Sequence, residues 1–330
     1  MLKFVRSFAL CLLVPVIPPA FADAPAPRLA PRAPLPATSV ASIPFDAEKS
    51  GFTLTLRGMV PVDFKIFTVF ARPGEHVAVE ADRPVSWTEN GQSSIARPNH
   101  DWIAPQTPGL TQVDLRTEGG QSMRLNLIVM EQAVGEAVGT YRLGSYPSEP
   151  YRGDPAYLPP THFAGVSDAL SGLQISPHFT LSQFLCKQEA DGEPYLVLSE
   201  RLLAKLELLL VEANARGWRA DTFTVMSGYR TPAYNAAIGN GPYSRHIYGG
   251  AADIFIDHDG DGWMDDLNGD GLHDRQDAAA LFDLVESVSE TPNFAPFIGG
   301  VGEYGPNAVH GPFVHVDERG WRARWGRSQS

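Results

Sequence analysis

The chain has 330 residues, 43% of them apolar and 19% charged, with a net charge of −12. That length accommodates two ordinary domains and that apolar fraction a real core, which excludes a chain disordered throughout. The negative balance argues against generic binding to nucleic acid or to anionic membrane surfaces.

Lys3 and Arg6 precede an apolar run from Phe8 to Ile17, and Ala20-Phe21-Ala22 forms an A-x-A cleavage site. Residues 1–22 therefore read as a signal peptide, cut after Ala22. The run is too short to span a bilayer comfortably, so no transmembrane anchor is expected after cleavage. The expected location is the periplasm or cell envelope. Residues 23–44, rich in Pro and Ala, read as an extended tether.

Over residues 45–131 the pattern changes to short strands. Phe52, Leu54 and Leu56 alternate with polar residues, as do Val77 and Val79, and later Met123, Leu125, Leu127 and Val129. Arg72-Pro73-Gly74, Glu89-Asn90-Gly91 and Glu118-Gly119-Gly120 mark turns between them. This spacing predicts a small all-β domain, an immunoglobulin-like sandwich with Trp87 and Trp102 in its core. Residues 132–175 are turn-rich and read as an ordered connector.

Residues 176–330 carry a different pattern. Thr180 caps a short helix with Leu181, Phe184 and Leu185, and Ser199 caps a longer one. In the longer helix Leu202, Leu203, Leu206, Leu209, Leu210 and Ala213 form an apolar stripe, and Gly217 is its stop. Strands are expected over 223–226, 251–256 and 312–316, and a helix over 277–287. This order predicts an α+β domain with a mostly antiparallel sheet. Cys11 falls in the signal, so no internal disulfide is expected, and Cys186 reads as a buried, inert thiol.

Two phrases carry the chemistry. Residues 244–253 read S-x-H-x-x-G-x-A-x-D, and Phe313-Val314-His315-Val316-Asp317 follows far downstream. Together they offer two imidazoles and a carboxylate, a ligand set suited to Zn²⁺ with one position left open. Gly249 and Gly250 let the backbone fold back so that His246 and Asp253 reach one ion. His315 and Asp317, two apart on a strand, share a face.

These phrases resemble the M15 family of zinc peptidases, which cut bacterial cell-wall peptides as D-Ala-D-Ala carboxypeptidases, dipeptidases or murein endopeptidases. The resemblance covers roughly residues 176–326. It includes Ser227-Gly228-Tyr229-Arg230-Thr231, Asn235 and Gly299-Gly300-Val301-Gly302. It implies that His246, Asp253 and His315 bind zinc and that a peptidoglycan peptide is the substrate. It also implies that Arg230 meets the substrate's oxyanion or its carboxylate. The family's usual general base is missing. Pro312 stands where many members have Glu or Asp, and Phe313 where some have His. Asp317 is then either the base or the group that orients His315. His310 and Glu303 are further candidates, and Tyr304 is a hydrogen-bond donor over the site.

A second metal region follows. Asp266, Asn268, Asp270, Asp274 and Asp277 stand at positions 1, 3, 5, 9 and 12 of a loop resembling those of EF-hands, with Gly271 at position 6. This predicts Ca²⁺, and Asp257, Asp259 and Asp261 are a weaker candidate set. The whole reads as an exported zinc peptidase of the cell envelope. Two other readings stand beside it: a wall-binding protein that keeps zinc for stability alone, and an adhesin whose β-domain carries the function.

Overall fold

The computed structural model describes residues 44–58, 60–190 and 192–327. The signal peptide and the tether up to residue 43 lie outside the described residues. Among the described residues no helix is long and apolar enough to cross a membrane.

The alternating segments form strands β1 (Lys49–Leu56), β2 (Val60–Phe64), β3 (Ile66–Ala71), β4 (His76–Glu89), β5 (Gln92–Ser93), β6 (Arg97–Ile103), β7 (Gly109–Thr117) and β8 (Ser122–Val129). All eight belong to one hydrogen-bonded sheet with the path β2-β1-β4-β7-β8-β3, while β5 and β6 also pair with β4. The expected immunoglobulin-like sandwich is not confirmed, because the long β4 links these strands into one hydrogen-bonded network. The first half of β4 pairs with β1 and β6, and its second half pairs with β7 after a register break between Glu80 and Val85. Such a break lets one long strand pair with different neighbours along its length. Trp87 and Trp102 are buried, as their positions among alternating strands predict.

Helix α1 (Glu200–Ala215) buries its leucine stripe and ends before Gly217, which takes a left-handed φ of 89°. Its Glu200 accepts two contacts from Arg57 Nη1 at 2.5 and 2.6 Å and the Phe70 amide at 3.0 Å. One hydrophobic core runs from the first sheet through this helix into the C-terminal half, and the described residues form one compact unit. Cys186 is buried and free in that core.

The C-terminal half holds a short helix α2 (Pro232–Ala237), helix α3 (Arg275–Ser289) and a five-stranded sheet. Its strands are β9 (Thr224–Ser227), β10 (Ala251–Phe255), β11 (Gly300–Tyr304), β12 (Phe313–Asp317) and β13 (Ala323–Trp325), in the order β9-β10-β12-β11-β13. Pairing is antiparallel except between β11 and β13. This half is α+β, as its alternation of helices and strands predicts.

Candidate functional site

One row of residues crosses the whole second sheet. Ser227 pairs with Asp253, Asp253 with His315, His315 with Gly302, and Gly302 with Trp325. Residues opposite one another in a ladder share a face. Register alone therefore sets Asp253 beside His315. His246 comes from a short 3-10 turn, Arg245–Tyr248, closed by Gly249 at φ 66°. A Cβ on Gly249 would stand 2.2 Å from the Val197 carbonyl oxygen, so both conformation and space require glycine there.

The three side chains converge and are buried. Asp253 Oδ1 lies 3.2 Å from His246 Nε2 and 2.9 Å from His315 Nδ1, and those nitrogens are 3.1 Å apart. The outer nitrogens are occupied. His246 Nδ1–H donates to the Gly228 carbonyl at 2.7 Å, and His315 Nε2–H donates to Asp317 Oδ2 at 3.2 Å. These bonds select the tautomers that leave two lone pairs facing a carboxylate oxygen. Three acceptors so close repel unless a cation or proton lies among them. Tetrahedral zinc ligands on bonds of ~2.0 Å stand roughly 3.3 Å apart, so this donor set fits zinc.

The charges agree with that need. Burial opposes ionisation of Asp253, but His246 and His315 outweigh it and hold its carboxyl well below the usual range. Burial pulls the His246 imidazole below its ordinary value despite Asp253. For His315 burial acts the same way, yet the bonds to Asp253 and Asp317 outweigh it and raise the pKa.

Asp317 shares the face of His315 but stands behind it, outside the cavity. Its carboxylate takes Arg319 Nε at 3.0 and 2.9 Å and the Gly300 amide at 2.7 Å. Burial opposes its charge, but His315 and Arg319 hold it well below the ordinary range. The carboxylate therefore meets the outer nitrogen of His315 and does not line the cavity. Glu303 is corrected as a candidate. One residue on from Gly302, it points to the opposite face, where Arg275 donates to it at 2.6 Å.

The row opens into a cavity of about 630 Å³, also lined by Arg230, His310 and Tyr304. Arg230 donates from Nε to Ser227 Oγ at 2.7 Å and pairs through Nη2 with Asp253 Oδ2. Tyr304 stacks on Phe313 with ring centres 4.5 Å apart and accepts from Trp325 Nε1 at 2.8 Å. His310 Nδ1–H donates to the Gly311 carbonyl at 2.7 Å, and its Nε2 accepts from Asn307 Nδ2 at 2.7 Å.

Sequence reasoning missed Trp325 and Arg319, which also line the cavity. Trp325 packs its ring 5.1 Å from that of His315. The only signal lay in the glycines. A Cβ on Gly302 would stand 2.3 Å from Trp325 Nε1, and one on Gly300 2.4 Å from Asp317 Oδ2. The Gly-Gly-Val-Gly phrase is thus a mould for these two side chains.

The acidic loops do not gather their carboxylates as expected. Asp266 accepts the amides of Gly269, Asp270 and Gly271, Asn268 that of Asp270, and Asp270 that of Leu272. Asp274 and Asp277 form the capping box of α3, with Asp277 buried. Among the described residues no three carboxylates of 266–277 converge, and the preceding loop brings together Asp257, Asp259 and Asp265, with Asp261 left out. Asp261 accepts the Trp263 amide instead. Calcium is not supported at 266–277, where loop amides already bond these oxygens.

A comparison with curated proteins finds no match. Residues 177–263 match the family model described as Peptidase M15. That stretch contains His246 and Asp253 and ends before His315. The ladder carries the site past it, since β12 sets His315 opposite Asp253, and the match assigns the stretch 177–263 to the M15 peptidase family.

Proposed function

We propose that this protein is an exported, zinc-dependent peptidase that hydrolyses peptidoglycan stem peptides or cross-links. One observation carries the reading: two imidazole lone pairs and a carboxylate oxygen face one another beside a ligand-sized cavity. Zinc bound there supplies Lewis acidity at the scissile carbonyl and acidifies water. Gly228 and Asp317 hold the two imidazoles in register for it. Arg230 holds Asp253 Oδ2, which leaves Oδ1 to the histidines, and its charge favours an oxyanion in the cavity. His310, the remaining cavity imidazole, accepts the proton of the attacking water through Nε2, giving up the Asn307 amide. The carbonyl carbon gains the water oxygen, the C–N bond breaks, and the amine leaves with a proton.

A second reading rests on Pro312 and on the cavity wall. Among the described residues Asp253 is the one carboxylate lining the cavity. A wall-binding protein that uses zinc for stability alone has that composition. Mass spectrometry of muropeptides decides between the two. The peptidase releases new peptides from purified peptidoglycan, and His246→Ala and His315→Ala abolish both release and stoichiometric zinc. Zinc-loaded protein that binds peptidoglycan and releases nothing establishes the second reading. For export, the mature protein is expected to begin at Asp23, which N-terminal sequencing checks.

A further inference from the structure

We infer that the cavity takes the anionic end of its ligand and that Lys187 reads a free carboxylate on a peptide. This rests on the peptidase reading and deepens it to cleavage near a peptide's C-terminus. The cavity is lined by Lys187, Arg230 and Arg319 against the single carboxylate of Asp253, in a chain whose net charge is −12. A cleft of one sign concentrates ligands of the other. Two of these cations are committed: Arg230 pairs with Asp253, and Arg319 with Asp317 at 2.5 Å. Lys187 is exposed and has no ion pair among the described residues.

Its position is built from both sides. Before it, buried Cys186 accepts the Thr231 amide on Sγ at 3.4 Å. After it, Gln188 accepts from Thr231 Oγ1 at 2.5 Å and donates to the Arg142 carbonyl at 2.9 Å. Thr231 directly follows Arg230, so these bonds fix the Lys187 backbone beside the turn that supplies the arginine. An ammonium on a flexible stem, set at the wall of such a cavity, meets a carboxylate as a point charge.

The test uses the full zinc-loaded chain and two probes: a short D-amino-acid peptide with a free C-terminal carboxylate, and its C-terminal amide. Calorimetry measures binding and mass spectrometry measures cleavage. The wild type is expected to bind the carboxylate form roughly tenfold more tightly than the amide. Lys187→Ala should erase that preference without changing affinity for the amide, Lys187→Arg should restore most of it, and Lys187→Glu should reverse it. Equal affinity of the wild type for the two probes, binding of neither, or equal weakening of both by Lys187→Ala overturns the inference. Carboxylate preference without cleavage of any peptide overturns the peptidase reading and supports the binding role of Lys187. Cleavage of both probes with equal affinity does the reverse.

Discussion

His315 shows how little of a site one residue decides alone. Its ring is held from three directions: Asp317 at the outer nitrogen, Trp325 against the ring, and Asp253 at the inner nitrogen. Asp317→Asn keeps the shape but loses the charge that orients the imidazole. Zinc affinity should then fall by about 10- to 100-fold, read by competition with a chelating dye. Unchanged affinity would show that Arg319 and Gly300, not His315, are what Asp317 serves. Gly302→Ala tests the opposite side of the ring. Its Cβ would collide with Trp325. The expected cost is about 1–3 kcal/mol in chemical denaturation, with weaker zinc binding. Wild-type stability in that variant would refute the close packing. Sequence reasoning reached His246, Asp253 and His315 because their motif has fixed spacing. It could not reach Trp325, whose role depends on a strand pairing that no local pattern announces.

At the scale of elements, α1 is tied down by a buried charge. Glu207 accepts the His178 amide at 2.9 Å and lies 2.7 Å from His178 Nδ1. Burial lowers the His178 pKa, but the bond and charge of Glu207 outweigh it, and the net shift is upward from 6.5. A raised folded-state value means that protonated His178 stabilises the fold. That contribution is complete below the unfolded-state value of 6.5 and is lost as pH rises through the folded-state value. His178→Gln keeps a donor and removes the charge. It should lower stability by about 1–2 kcal/mol at acidic pH and by less at about pH 9. Thermal melts of both proteins across pH check this, and a gap that widens toward alkaline pH would contradict it. The long helices themselves were legible, since an apolar stripe and the Gly217 stop are local signals, whereas the Asp274 cap of α3 was read as a metal ligand. The acidic loop was misleading for the same reason: Asp at these spacings suits calcium and also suits amide-capping turns.

At the scale of the molecule, the first sheet and the site-bearing half share a core and a charged clasp. Arg57 sits in a left-handed conformation at φ 51° and reaches Glu200 at the start of α1. Arg57→Ala leaves a mostly buried carboxylate with the Phe70 amide as its remaining bond. The expected loss is about 3 kcal/mol, because an uncompensated buried charge costs more than the pair contributes. A single cooperative denaturation, shifted as a whole, is the predicted signature. Two separated transitions would mean that the halves fold independently. The proposed zinc site is tested at this scale as well. Chelation should lower the melting temperature of the zinc-loaded protein, and added zinc should restore it, because a ligand bound only by the folded state stabilises that state.

Sequence by itself did not determine β11, β13 or α2, but it did determine strands β9, β10 and β12, helices α1 and α3, the burial of Trp87 and Trp102, and the residues of the His-Asp-His motif. Each is written in short-range periodicity or fixed spacing. Tertiary structure decided what those patterns meet. Pairing of β10 with β12 puts Asp253 opposite His315, and the parallel strand β13 delivers Trp325 over Gly302. The long β4 joins the strands of the first half into one hydrogen-bonded network. Arg319 clasps Asp317 from a turn beyond the motif. These are contacts between segments far apart in the chain. Their partners are chosen by register and packing over the whole core, which a local pattern does not encode.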